Sequence, residues 1–197
     1  MTDTVAIPLP LRPARVHEAS GPGAMGFAAI LGGATDGPII WIRESWIPEE
    51  LYPAGLAAIV DPDRLVLART KDQTDTLAVA EEALKDGALP FVILDVSRPL
   101  NLREGRRLQL AAQAGASTGL CLIPEGMGSN AAETRWFCAP VFDPKARAAD
   151  STVMRWDIIK NKKGTLGSWH VRWDRTARRL DLVSPVGQRP GAAGVSG

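Results

Sequence analysis

The sequence predicts an α/β fold: a mainly parallel sheet flanked by helices, followed by a C-terminal antiparallel β-meander. Three observations predict it. Short apolar runs alternate with helical stretches from Ala14 to Ile123, the order that builds a parallel sheet covered by helices. From Arg135 onward, strand-like segments follow one another with no helix between them. Turn residues separate the late segments at hairpin spacing.

The elements follow in order. Ala14 to Ser20 alternates as a strand, and Gly21-Pro22-Gly23 ends it. A helix is expected from Ala24 to about Leu31, broken by Gly32, Gly33, Asp36, Gly37 and Pro38. Ile39 to Ile42 is a continuous apolar run, the pattern of a strand covered on both faces. Pro48 fits the first turn of a helix running to about Ile59, with Glu49 and Glu50 set against its dipole. Asp61-Pro62-Asp63 makes a turn, and Arg64 to Arg69 reads as another buried strand. Thr74 to Lys85 spaces Leu77, Val79, Ala80, Ala83 and Leu84 close to helical periodicity, and Asp86-Gly87 stops it. Phe91 to Asp95 is an apolar strand ending in an acid. Leu102 to Ala114 is helical with Gly115 as its cap, and Gly119 to Ile123 is a fifth strand.

The meander is expected at Arg135 to Val141, Val153 to Ile159, Gly167 to Asp174 and Arg179 to Val183. Hairpin turns fall at Lys160-Asn161-Lys162-Lys163-Gly164 and at Asp174-Arg175-Thr176. Alternation puts Trp169, Val171 and Trp173 on one face of their strand, and Met154, Trp156 and Ile158 on one face of theirs. These tryptophans read as sheet core rather than as a stacking platform for bases.

The 197 residues suffice for one domain of ordinary size, placed at residues 14–183 between an extended Pro-rich arm (1–13) and a Gly/Ala/Pro-rich disordered tail (184–197). The net charge of +1 argues against nucleic-acid binding by bulk electrostatics, so any such role rests on a local patch. Cys121 and Cys138 lie in apolar surroundings with no Cys-x-x-Cys pair, and read as buried core residues of a reducing cytoplasm. No basic segment precedes an apolar run at the N-terminus, and no apolar stretch approaches the length of a membrane span. A cytoplasmic protein is the expectation. His17 and His170 are far apart and read as structural or exposed. Ser20 and Ser45 stand in no nucleophile elbow.

A strand, a Gly-Pro loop, a helix and a later buried strand ending in Asp make the layout of a P-loop NTPase. The chain resembles the RecA family in four places. They are Arg15-Val16-His17-Glu18 running into Gly21-Pro22, Pro38 to Ile47, Asp75 to Asp95, and Asp157-Ile158-Ile159-Lys160-Asn161-Lys162. Within that superfamily it is most similar to the ImuA family, bacterial RecA-like proteins of damage-inducible mutagenesis. Glu50-Leu51-Tyr52-Pro53-Ala54-Gly55-Leu56, Arg107-Leu108-Gln109-Leu110-Ala111-Ala112, Glu133-Thr134-Arg135-Trp136 and Gly167-Ser168-Trp169 carry that resemblance.

The resemblance implies a RecA-like P-loop core, and the chain departs from it where the chemistry lies. A working P-loop needs a Lys on the phosphates and a Ser or Thr on Mg²⁺. Gly21-Pro22-Gly23-Ala24-Met25-Gly26-Phe27-Ala28 keeps glycines at Gly21 and Gly26, but puts Phe27 at the Lys position and Ala28 at the Mg²⁺-ligand position. Asp95 matches the Walker-B position and reads as a structural strand-end carboxylate. Glu44 lies near the water-activating acid, and Glu125 stands near the family's Gln sensor. The stretches matching the DNA-binding loops are short. The expectation is an inactive ATPase core with no catalytic residues and no cofactor. Phe27 also opposes a residual nucleotide switch.

What the ImuA resemblance implies is an accessory role in translesion DNA synthesis within the SOS response. Its implied partners are an ImuB-like relative of the Y-family polymerases, an error-prone DNA polymerase III alpha-type subunit, and RecA. DNA contact is possible but indirect, and no membrane is involved. The candidate contact residues are Lys160, Lys162 and Lys163 of the Lys-Asn-Lys turn, with Arg172, Arg175, Arg178 and Arg179 expected to cluster with them. The alternative is a SulA-like inhibitor of cell division that binds the tubulin-like division protein.

Overall fold

The computed structural model describes residues 11–142 and 151–189. Most of the expected N-terminal arm, and the tail from residue 190, lie outside the described residues. The strands are β1 (Val16–Ser20), β2 (Ile39–Glu44), β3 (Leu65–Thr70), β4 (Phe91–Asp95), β5 (Thr118–Leu122), β6 (Thr134–Pro140), β7 (Ser151–Asn161), β8 (Leu166–Asp174) and β9 (Arg179–Arg189). The helices are α1 (Ala24–Ala34), α2 (Pro53–Ala57), α3 (Gln73–Asp86) and α4 (Leu102–Ala114).

All nine strands join one sheet in the order β3-β2-β4-β5-β1-β6-β7-β8-β9. The strands from β3 to β6 are parallel to their neighbours. From β6 onward each pairing is antiparallel. The expected α/β architecture, a mostly parallel sheet with antiparallel C-terminal strands, is borne out.

The two faces bury different partners. Val16, Ile40, Ile42, Val92, Leu94, Cys121 and Ile123 pack under α3 and α4. The opposite face closes on α1, with Trp41, Ile93, Leu120, Trp136, Met154, Trp156, Val171 and Trp173 in one cluster and Leu180 and Leu182 of β9 packed against it. Every strand from β2 to β9 contributes at least one residue to the cluster that includes α1. That is why α1 carries apolar residues on every side. Of the faces expected as sheet core, Met154, Trp156, Val171 and Trp173 are buried, with Trp156 1% exposed, while Trp169 and Ile158 are half-buried and pack against the cluster.

Local signals set several boundaries. Asp72 caps α3 by accepting from the Asp75 N–H, and Gly87 ends it in the left-handed conformation. Asn101 and Glu104 form a capping box at the start of α4.

Four expectations are corrected. The helix expected from Pro48 to Ile59 is only α2, because Pro53 takes its first position and holds Tyr52 extended. Glu49 and Glu50 thus precede the helix. Second, α1 does not stop at Leu31 but runs through Gly32 and Gly33 to Ala34. A Cβ on Gly33 would sit 2.5 Å from the Ile59 carbonyl oxygen, so the glycine lets the α2 segment approach the helix. Third, β3 is an edge strand and not a buried one. Val66 is 51% and Leu67 42% exposed, since β3 pairs only with β2. Fourth, β9 continues past Val183 to Arg189, paired with β8 as far as Leu166, so residues 184–189 of the expected tail are strand.

Candidate functional site

The segment expected as a phosphate loop is short. Gly21-Pro22-Gly23 alone connects β1 to α1, and Gly26, Phe27 and Ala28 already lie inside the helix. Gly21 has φ +90°, and a Cβ there would lie 2.5 Å from the Cys138 carbonyl oxygen. The Gly23 N–H donates to that carbonyl (2.8 Å), and the Ala24 N–H donates to Gly21 O (3.0 Å). Two donors at the helix start are thereby spent within the chain. Phe27 is fully buried, 5.4 Å from the Trp136 ring and edge-on to Trp156 at 4.8 Å. The sequence places Phe27 over a phosphate cradle, whereas in the structure it points into the core between α1 and the sheet.

The acids at the strand ends have intramolecular partners. Asp95 accepts from Trp41 Nε1 (3.0 Å) and pairs with Arg43 Nε (2.5 Å). Arg43 is 3% exposed, and its second nitrogen reaches Glu49 O at 2.7 Å. Glu44 accepts from Ser97 Oγ (2.5 Å) and from Trp46 Nε1. Gln73 holds the chain after β4, accepting from the Ser97 and Arg98 N–H groups. Glu125 is exposed. Ser20 and Ser45 donate to the Trp136 and Thr70 carbonyls.

A buried polar network spans β1, β6 and the loop before β6. His17 is fully buried. Its Nε2–H donates to Arg12 O (3.0 Å) while Nδ1 accepts from Thr134 Oγ1 (2.7 Å). Trp136 Nε1 donates to the same hydroxyl at 2.8 Å. Burial lowers the His17 pKa to about 4, and the Arg12 backbone bond offsets only part of that. Glu18, 1% exposed, accepts from Ser129 N (2.7 Å) and Arg135 Nε (2.8 Å). Glu133 pairs with Arg12 at 2.8 Å. The sequence reading passed over this network. The available signal was a carboxylate, Glu18, in the middle of a strand covered on both faces, where only a paired charge is tolerated.

The Lys-Asn-Lys turn feeds the same network. Lys160 lies in β7, and its ammonium donates to the carbonyls of Ser129 (3.1 Å), Asn130 (3.0 Å) and Ala132 (2.8 Å). Lys162 donates to Ala131 O at 2.6 Å. Burial, then the charge of Arg135, lowers the Lys160 pKa. The two lysines clamp the β7–β8 hairpin to the loop, and Lys163 at the tip is exposed.

The expected arginine cluster lies elsewhere. Thr134 pairs with Asn161 at one end of the meander, whereas Ser151 pairs with Asp174 at the other. β8, nine residues long, separates the lysine turn from the Arg175–Arg179 turn by about 25 Å. Arg175, Arg178 and Arg179 are exposed. Arg178 reaches Ile59 O at 3.4 Å, and Arg179 pairs with Asp181 at 2.7 Å. Arg172 is half-buried mid-strand, opposite Asp181. The seven candidate residues do not form one patch, because a hairpin puts its two turns at opposite ends of the middle strand.

Cys121 and Cys138 are both buried, as expected, and burial raises both thiol pKa values. Among the described residues no group of three or more His, Cys, Asp or Glu is placed to hold a metal. No described helix is long and apolar enough to cross a membrane.

No family model matches the chain. The chain is similar to Protein ImuA from Caulobacter vibrioides strains NA1000 / CB15N and ATCC 19089 / CIP 103742 / CB 15. Each match is 26% identical over 170 residues, covering 82% of this chain and 62% of the relative. The chain thus spans less than two thirds of the length of these relatives. The match gives no support to the SulA-like alternative. The resemblance carried by the motifs above is borne out as a similarity to Protein ImuA along 82% of the chain.

Proposed function

We propose that this protein is a non-catalytic accessory factor of bacterial damage-inducible mutagenesis, supporting error-prone translesion synthesis by binding other proteins. The observation that carries the reading is the similarity to Protein ImuA along 82% of the chain. The partners implied are an ImuB-like polymerase relative, an error-prone replicative-type polymerase subunit and RecA. Two features support a binding role over ATP turnover. Phe27 and Ala28 replace the Lys and the Mg²⁺ ligand of a working P-loop, and Phe27 is part of the core. Asp95, the Walker-B-like acid, is committed to Arg43 and Trp41.

The test is co-purification of the tagged chain from mitomycin-treated cells, combined with the damage-induced mutation frequency of a deletion strain. Capture of an ImuB-like protein, the polymerase or RecA, with a fall in induced mutation, is the expected result. Capture of the division protein alone, or nucleotide turnover by the purified chain, overturns the proposal.

A further inference from the structure

One groove on the surface shares Asn130, Ala131 and Lys162 with the lysine clamp described above and extends from it onto α4. It lies between α4 and the loop before β6, has a volume of about 520 Å³, and is lined by Leu102, Arg106, Gln109, Leu110, Asn130, Ala131 and Lys162. The core face of α4 is made by Leu108, Ala111 and Ala112. Leu102 and Leu110 point the other way and are 48% and 67% exposed. Together with Arg106 they stand at i, i+4 and i+8, one stripe along the helix. Among the described residues, nothing packs these two leucines of one stripe into the core.

The groove is built rather than incidental. Gln109 donates to Val16 O (2.7 Å) and Ala131 O (3.0 Å), fixing helix and loop to each other. Lys162 adds its bond to Ala131 O. The walls are therefore held in place without a ligand.

The charges identify the occupant. Lys162 and Arg106 line the groove, Arg103 and Lys163 directly follow the lining residues Leu102 and Lys162 in the chain, and all four are cations on exposed residues. Among the described residues Arg103 and Arg106 make no ion pair. The nearby carboxylates are already taken, Glu104 by Arg98 (2.8 Å) and Glu81 by Arg107. A complementary ligand brings both leucine-like side chains and carboxylates.

This chain does not supply such a ligand from the segments outside the described residues. Residues 1–10 hold one acid and two prolines, 143–150 hold no leucine, and 190–197 hold neither leucine nor acid. A second copy of α4 brings the same positive charge. Nucleic acid finds four cations here but no use for the exposed leucines.

We propose that this groove is a docking site for an acidic amphipathic helix of a partner protein, with leucines entering beside Leu102 and Leu110 and carboxylates meeting Arg103, Arg106, Lys162 and Lys163. The inference goes beyond the mutasome reading and stands without it, since it rests only on the shape and chemistry of the surface.

The experiment is fluorescence anisotropy of the full chain with a labelled helical peptide of about 18 residues, bearing leucines at i, i+4, i+7 and i+11 and glutamates along both flanks. A peptide of the same composition with the leucines scattered around the helix is one control, and a single-stranded oligonucleotide of about 20 nucleotides is the other. The amphipathic peptide is expected to bind saturably and to weaken with salt. Leu110→Glu and Arg106→Glu, both exposed and outside the core, are expected to weaken it roughly tenfold or more while leaving the melting curve in place. Absence of saturable binding, equal binding of the scattered peptide, indifference to both substitutions, or preference for the oligonucleotide each overturns the proposal. None of these outcomes bears on the capture and mutation-frequency test of the proposed function.

Discussion

Phe27 meets Trp156 edge to face, with ring centroids 4.8 Å apart and planes at 90°. Phe27 thus contacts a tryptophan 129 positions later in the chain, across the core that α1 shares with the meander.

Placing a lysine at residue 27 is therefore expected to unfold the protein rather than to create a nucleotide site. Phe27→Lys loses a buried aromatic and buries an ammonium, at a cost above about 4 kcal/mol. Phe27→Leu keeps an apolar side chain and costs about 1.5 kcal/mol. Urea denaturation followed by circular dichroism measures both. A folded Phe27→Lys protein that binds an ATP analogue would place residue 27 outside the core.

Lys160 is expected to act as a structural clamp. Lys160→Met removes a charged donor from three carbonyls of the loop before β6, and a loss of about 2 kcal/mol follows. Lys163→Met, at the exposed tip, changes stability by less than about 0.5 kcal/mol. Equal effects of the two substitutions on the denaturation midpoint would contradict the clamp.

The buried histidine makes stability depend on pH. Its folded pKa, about 4, lies below the ordinary histidine value of 6.5, so the unfolded chain takes up the proton first as pH falls. The contribution is fully present above pH 6.5 and declines as pH drops towards 4, by about 3 kcal/mol over that window. Denaturation midpoints at pH 7.5 and 4.5 for the wild type and His17→Gln should show a steeper fall in the wild type. Parallel curves would mean that His17 is not buried neutral.

Gly33 tests the close approach of α1 to the α2 segment. Alanine is preferred over glycine in a helix by about 1 kcal/mol, so Gly33→Ala stabilises an unconstrained helix. Here the new methyl meets Ile59 O at 2.5 Å, and the expected result is destabilisation by about 2 kcal/mol. A raised melting temperature would show that the 59–60 segment yields.

The amino-acid sequence by itself determined the order of elements, the faces of the strands and the switch from parallel to antiparallel pairing, because these follow from local periodicity and turn chemistry. Asp72, Gly87 and Asn101 act within a few residues of themselves, so the limits of α3 and α4 were legible. The absence of a lysine and a hydroxyl at Phe27 and Ala28 is likewise a fact of sequence. Only the tertiary structure decided what lies between distant parts of the chain. It set Gly32 and Gly33 inside α1, left Val66 and Leu67 exposed at the sheet edge, sent the Lys160 ammonium to the loop before β6, and parted the lysine and arginine turns. The exposed stripe of α4 belongs to this second group. A helix shows its period in sequence, but which face is covered depends on the sheet and loop packed against it. Partners such as His17 and Thr134, 117 residues apart, meet only because β1 and β6 lie side by side in the sheet.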